Sequence, residues 1–170
     1  QWGSEYPAVS YRPRVDGREE ENWYRLVGAR DGTELSYDPE KPPGAPTVIN
    51  AGQLAIFRAR SDQPFVVRSR DAEHPFYLGI HMTGGDPSDE SPGYGGQGDP
   101  DFVNVVAAGQ FRNAYSFFAD TTYPEHSLVI VREKVRDRFE DVHLECLGKV
   151  EGFTPLGSDG RFEYRRVDLS

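Results

Sequence analysis

The residues best suited to chemistry gather in one stretch: Asp86, Asp89, Glu90, Asp99 and Asp101 stand in or beside the glycine-rich run from Thr83 to Pro100. A hard cation such as Ca2+ takes several oxygen ligands, and glycine lets backbone carbonyls turn inward to supply some of them. These five acids are therefore candidate Ca2+ ligands, although their spacing is not that of an EF-hand. The competing reading is a solvated acidic loop. Tyr94, the one aromatic residue in the run, joins Asp86, Asp89 and Asp99 as a candidate ligand contact. A loop this long between short strands is usually functional or disordered.

Other reactive types are sparse. The histidines are His74, His81, His126 and His143. His74 and His81 stand seven apart on one strand and its entry, which puts them on opposite faces and too far apart to share a metal. Ser69, Asp71 and His74 include the residue types of a hydrolase, but no Gly-x-Ser-x-Gly elbow presents the serine as a nucleophile. Cys146 has no partner in this chain and no zinc site can be built from it. It reads either as a small buried hydrophobe in the alternating run Val142, Leu144, Cys146 or as half of a disulfide whose partner lies outside the chain. Trp2, Trp23, Tyr24, Tyr94 and Tyr123 could stack on sugar rings or anchor a partner. Trp23 is expected to pack inward. No pattern singles out a catalytic reaction, so the chain reads as a binding module that needs no cofactor other than the candidate Ca2+.

The elements that must position these residues are strands. Tyr6 to Arg12, Trp23 to Val27, Thr33 to Tyr37 and Gln53 to Arg58 alternate with period two, and Asp31-Gly32 marks a tight turn between two of them. Pro64 to Ser69, Pro75 to Met82, Phe102 to Val106, Tyr115 to Ala119, Ser127 to Arg132, Asp141 to Cys146 and Arg161 to Leu169 complete the set. Ala107 to Asn113 reads as a single helical turn. No segment holds an apolar stripe of helical period for ten residues. The chain is thus all-β, an antiparallel sandwich or jelly-roll-like unit, since a parallel sheet would need helical crossovers.

With 28 acidic against 19 basic residues the net charge is −9, which repels a nucleic-acid backbone. The longest apolar runs fall far short of the ~20 residues of a membrane-spanning helix. Gln1 begins neither with an initiator Met nor with a signal-peptide pattern, so the natural N-terminus is expected elsewhere.

A recurring order divides the chain. Val9, Tyr11, Arg12, Trp23, Leu26, Gly28, Gly32, Leu35 and Pro39 return as Val129, Val131, Arg132, Phe139, Leu144, Gly148, Gly152, Phe153 and Pro155. Gly28 and Gly148 stand 120 residues apart, as do Gly32 and Gly152. The spacing predicts a first β unit over residues 1–122 and the beginning of a second, incomplete one over 123–170. The second unit's apolar face would then need the first unit, another copy or another chain to cover it.

Several ordered motifs carry a resemblance: Ser61-Asp62-Gln63-Pro64-Phe65-Val66-Val67, His74-Pro75-Phe76-Tyr77-Leu78, Met82-Thr83-Gly84-Gly85, Gly98-Asp99-Pro100-Asp101-Phe102-Val103-Asn104-Val105-Val106 and Tyr123-Pro124-Glu125. With Gly3-Ser4-Glu5-Tyr6 at the start and Phe162 to Leu169 at the end, the chain resembles the bacterial members of the family named for the N-terminal region of the IgG Fc-binding protein. The resemblance implies a β-rich module of a large secreted or surface-attached protein, extending beyond both ends of this chain. It implies an extracellular or cell-envelope location and pairing of Cys146 with a cysteine further on, and the chain is read as a non-catalytic module acting in adhesion, protein binding or surface assembly. A carbohydrate-binding module using exposed aromatics and the 83–100 loop is the alternative.

Overall fold

The computed structural model describes residues 2–85, 94, 97–98, 100–120, 122–123 and 125–170. The fold is all-β. Thirteen strands form among the described residues: β1 (Glu5–Ala8), β2 (Glu21–Gly28), β3 (Thr33–Asp38), β4 (Val48–Ile49), β5 (Leu54–Arg60), β6 (Phe65–Ser69), β7 (Phe76–His81), β8 (Phe102–Asn104), β9 (Ser127–Glu133), β10 (Val142–Leu144), β11 (Gly148–Val150), β12 (Thr154–Leu156) and β13 (Phe162–Asp168). The expected helical turn is a short 3-10 turn at Ala108–Gln110. The expected strand at Tyr115 to Ala119 does not form: among the described residues this segment has no backbone–backbone partner and lies outside any sheet.

The sheets run antiparallel in the orders β1-β6-β3-β4, β5-β2-β7-β8 and β12-β13-β9, with β10-β11 as a separate hairpin. The two four-stranded sheets face each other as a sandwich. Alternation decides which side chains meet inside: Tyr6 and Ala8 of β1, Leu35 of β3, Phe65 and Val67 of β6 face Tyr24 and Leu26 of β2, Phe57 of β5, and Phe76, Leu78 and Ile80 of β7. Tyr24 stacks on Phe57 with centroids 5.4 Å apart, and Phe65 packs against both rings. Each such side chain removed from water is worth roughly 1.5–3 kcal/mol.

β6 departs from alternation, because Phe65, Val66 and Val67 are all buried. A strand covered on both faces loses its period-two pattern. Val66 points away from the sandwich and joins Val9, Ala108, Leu156 and Phe162 in a second cluster, with Val129, Val131 and Tyr164 at its margin. The sheet β12-β13-β9 therefore lies over the outer side of β1-β6-β3, making three stacked layers. Polar contacts stitch that seam. Arg68 reaches Glu5, Asp38 and Asp159, Arg161 reaches Glu5 and Glu133, and Arg166 donates to the Ser61 carbonyl at 2.7 Å and the Ser10 carbonyl at 3.0 Å.

Two of the sheets share a strand order, although at the sequence spacing of 120 residues β13 answers to residues 42–48 rather than to β6. The order β9-β13-β12 reproduces β1-β6-β3, all antiparallel. The segments between do not correspond, since β2 is paired on both edges by β5 and β7, whereas β10 and β11 pair only with each other. Gly28 and Gly148 also do different work. A side chain at Gly28 would meet the Asn50 carbonyl at 2.5 Å, while Gly148 takes a left-handed φ of 75° at the first position of β11, just after a turn. Gly32 and Gly152 do share a role, with φ of 62° and 74°.

Candidate functional site

The outer face of β5-β2-β7-β8 is built row by row from the register. Arg58, Trp23, His81 and Phe102 lie directly opposite one another across the four strands, followed by Ile56, Arg25, Gly79 and Asn104, then Leu54, Val27 and Tyr77. In the first row the Arg58 guanidinium sits 4.1 Å over the Trp23 ring, and His81 stacks on Phe102 at 5.3 Å with 17° between planes. In the second row Gly79 leaves a gap in the sheet surface. Tyr77 folds across it, and its hydroxyl donates to Asn104 Oδ1 at 2.6 Å. Trp2 extends the third row, 6.4 Å from Tyr77. Leu54, Ile56 and Phe102 are each about half exposed, at 52%, 48% and 53%. A continuous apolar and aromatic face with arginines among the rings thus points to solvent.

This face corrects the expectation that Trp23 packs inward. On β2 the buried phase is Asn22, Tyr24 and Leu26, leaving Trp23, Arg25 and Val27 outside. The strand starts one residue earlier in phase than a tryptophan-first reading assumes, and the polar Asn22 takes the buried place. His81 is held below the usual imidazole pKa, first by burial and then by the charge of Arg25, with Asp101 opposing. Near neutral pH it is an uncharged ring and stacks as one.

The acidic loop is reached through its anchors. Arg14 donates to the Thr83 carbonyl at 2.8 Å, to Thr83 Oγ1 at 2.9 Å and to the Gln97 carbonyl at 3.0 Å, while pairing with Glu20. Both side chains are buried, and the Arg14 guanidinium lies 3.9 Å over the Tyr94 ring. Tyr94 is thereby tucked inside at 4% exposure. Of the five candidate Ca2+ ligands, Asp86, Asp89, Glu90 and Asp99 lie outside the described residues. Asp101 is exposed, and its Oδ1 accepts from the Phe102 amide at 2.7 Å. Among the described residues no group of three or more acid, histidine or cysteine side chains could hold a metal.

Asp71 and His74 do meet, with His74 Nδ1 2.6 Å from Asp71 Oδ1. Arg70 occupies the other ring nitrogen, and Ser69 Oγ donates to the Asp71 carbonyl at 2.9 Å rather than to the imidazole. The three do not form a nucleophilic relay. Cys146 is exposed in the turn between β10 and β11, not buried as the alternating run suggested, because β10 ends at Leu144. Arg14 and the outer-face residues Leu54, Ile56, Arg58, Tyr77, His81 and Phe102 escaped sequence reasoning. The phase of alternation in β2, carried across the register, is the signal that would have found most of the face. Nothing local marks Arg14, which sits in a charged loop.

A model described as IgGFc binding protein matches residues 1–170, the whole chain. The chain belongs to the IgGFc-binding family. A search of the curated proteins and a search of the solved structures returned no match. The family is one of protein-binding modules, and among the described residues no helix is long and apolar enough to cross a membrane.

Proposed function

We propose that this IgGFc-binding family chain is a non-catalytic module of a secreted or cell-envelope protein, acting in adhesion or surface assembly, and that it binds protein through the outer face of β5-β2-β7-β8. The observation that carries the reading is the solvent-facing set in which Ile56, Phe102 and Arg25 are exposed and Trp23, Tyr77 and Arg58 lie half-buried between them. Tryptophan, tyrosine and arginine dominate the binding energy of protein interfaces, and an apolar face of this kind on a folded chain marks an interaction site. A glycan site is the weaker reading. Sugar rings stack best on free, coplanar aromatics, whereas here Arg58 covers Trp23, Phe102 stacks on His81 and Tyr77 is tethered to Asn104.

The family description suggests immobilised IgG Fc as a first probe, with a panel of extracellular matrix and envelope proteins beside it. Any binding should be lost on Ile56→Asp or Phe102→Asp and kept on Arg138→Ala, which lies away from this face. Binding insensitive to both would sink the assignment. Glycan-array hits abolished by Phe102→Ala would replace protein with carbohydrate.

Two further readings accompany the module. The acidic loop with Asp86, Asp89, Glu90, Asp99 and Asp101 binds Ca2+, so millimolar Ca2+ should raise the melting midpoint. An unchanged midpoint leaves a solvated loop. Cys146, exposed as it is, pairs with a cysteine outside this chain. Non-reducing mass spectrometry of the native protein would detect that link or a free thiol.

A further inference from the structure

Residues 112–118 form an unbroken exposed run ahead of the third sheet. Tyr115, Phe117 and Phe118 are 61%, 52% and 87% exposed. Among the described residues, no backbone–backbone hydrogen bond reaches residues 113–119. Tyrosine and phenylalanine favour strands, and an apolar segment with unpaired backbone groups is a template for strand pairing. From Asn113 to Ala119 the segment carries no charge, in a chain whose net charge is −9. This is therefore a place where two copies approach without electrostatic repulsion.

The flanks specify the partner. Arg112 and Asp120 stand equally far from Ser116, on opposite sides. Antiparallel pairing about a two-fold axis at Ser116 sets Tyr115 against Phe117, Ala114 against Phe118, Asn113 against Ala119, and Arg112 against Asp120. Every contact is made twice, as an isologous interface requires. Aromatic residues meet aromatic residues, the largest exposed ring meets the small Ala114, and both ends close with opposite charges. Parallel pairing would instead set arginine against arginine. Arg112 has no ion-pair partner among the described residues, its amide donating to the Tyr115 hydroxyl at 2.9 Å, and the Asp120 carboxylate accepts through Oδ1 from the amide and hydroxyl of Thr122 while its carbonyl accepts from the Tyr123 amide at 3.1 Å.

We propose that this chain forms a two-fold dimer in which residues 112–120 of two copies pair as antiparallel strands centred on Ser116. The pairing segment shares no residue with the outer-sheet face.

Sedimentation velocity of the 170-residue chain across the micromolar range should show a reversible dimer. Ser116→Pro, which removes an amide donor from an exposed segment, should abolish it while the far-ultraviolet circular dichroism stays unchanged. Arg112→Asp and Asp120→Arg each set like charges opposite and should weaken the dimer about tenfold, and the double variant should restore it. Ser116→Cys in a Cys146→Ser background should cross-link to itself under mild oxidation, whereas Thr122→Cys should not. A chain that stays monomeric throughout overturns the proposal. A dimer that survives Ser116→Pro, or that the double charge reversal fails to restore, overturns it equally.

Discussion

The sheets β1-β6-β3-β4 and β12-β13-β9 share an opening, a strand order and an antiparallel sense, yet one is covered on both faces and the other on one face by a full sheet. The first has Phe65, Val66 and Val67 wholly buried at its centre. In the second, the central strand β13 buries Phe162 and Val167 and leaves the residues between partly or fully exposed. Among the described residues its far side is met by the segment around β10 and β11, where Arg132 stacks 3.8 Å over Phe153 and donates to the Glu140 carbonyl at 2.8 Å, and Arg165 donates to the Gly152 carbonyl at 3.3 Å. The same pairing pattern therefore yields a core in one place and a half-covered layer in the other. Strand order sets which residues share a face, and what lies over that face sets the stability.

The largest effect expected from breaking this arrangement is at the seam. Phe162→Ala removes a fully buried ring shared by the middle and third layers, and denaturant unfolding should show a loss of about 3–5 kcal/mol. A loss under about 1 kcal/mol would mean that the third layer does not depend on the seam. Arg68→Ala removes the guanidinium that reaches Glu5, Asp38 and Asp159, and should cost about 1.5–3 kcal/mol, less at high salt.

A smaller, pH-dependent effect sharpens the same point. Asp38 is held below the usual carboxylate range, first by the hydroxyl of Ser158, which donates at 2.6 Å, and further by the Ser158 amide and Arg68, against a cost of burial. A depressed folded pKa means that the stabilisation is complete above the unfolded value near ~4 and is lost as pH falls through the folded value. Melting midpoints should fall below about pH 4, and the fall should be shallower in Asp38→Asn. Equal slopes in the two proteins would remove Asp38 from the seam. The smallest effect is expected at Ile130, on the far side of β9. Ile130→Ala should cost clearly less than Phe162→Ala in the same denaturation series, because Ile130 is only half-buried. Equal losses would show the two faces of the third sheet to be equivalently packed.

Much of the fold is legible in local pattern. Alternation and turn residues mark β2, β3, β5, β6, β7, β9 and β13 close to their observed limits, because a strand with one wet face must alternate. The two-residue β4 and the three-residue β11 and β12 are too short to carry a period, and they were not anticipated. Tyr115 to Ala119 has the composition of a strand but no partner strand among the described residues, and composition cannot supply one.

The sequence by itself determined that this chain is all-β and antiparallel, and through its ordered motifs that it resembles the family to which it belongs. It also contained, unread, the symmetric charges around Ser116. Only the tertiary structure decided that Trp23 faces outward, that Tyr94 lies beneath Arg14, and that Val66 belongs to a different core from Phe65 and Val67. The physical reason is common to all three. Local periodicity says that neighbouring side chains point to opposite sides, while which side is buried depends on layers brought from 60 to 100 residues away, as Leu156 and Phe162 are brought to Val66.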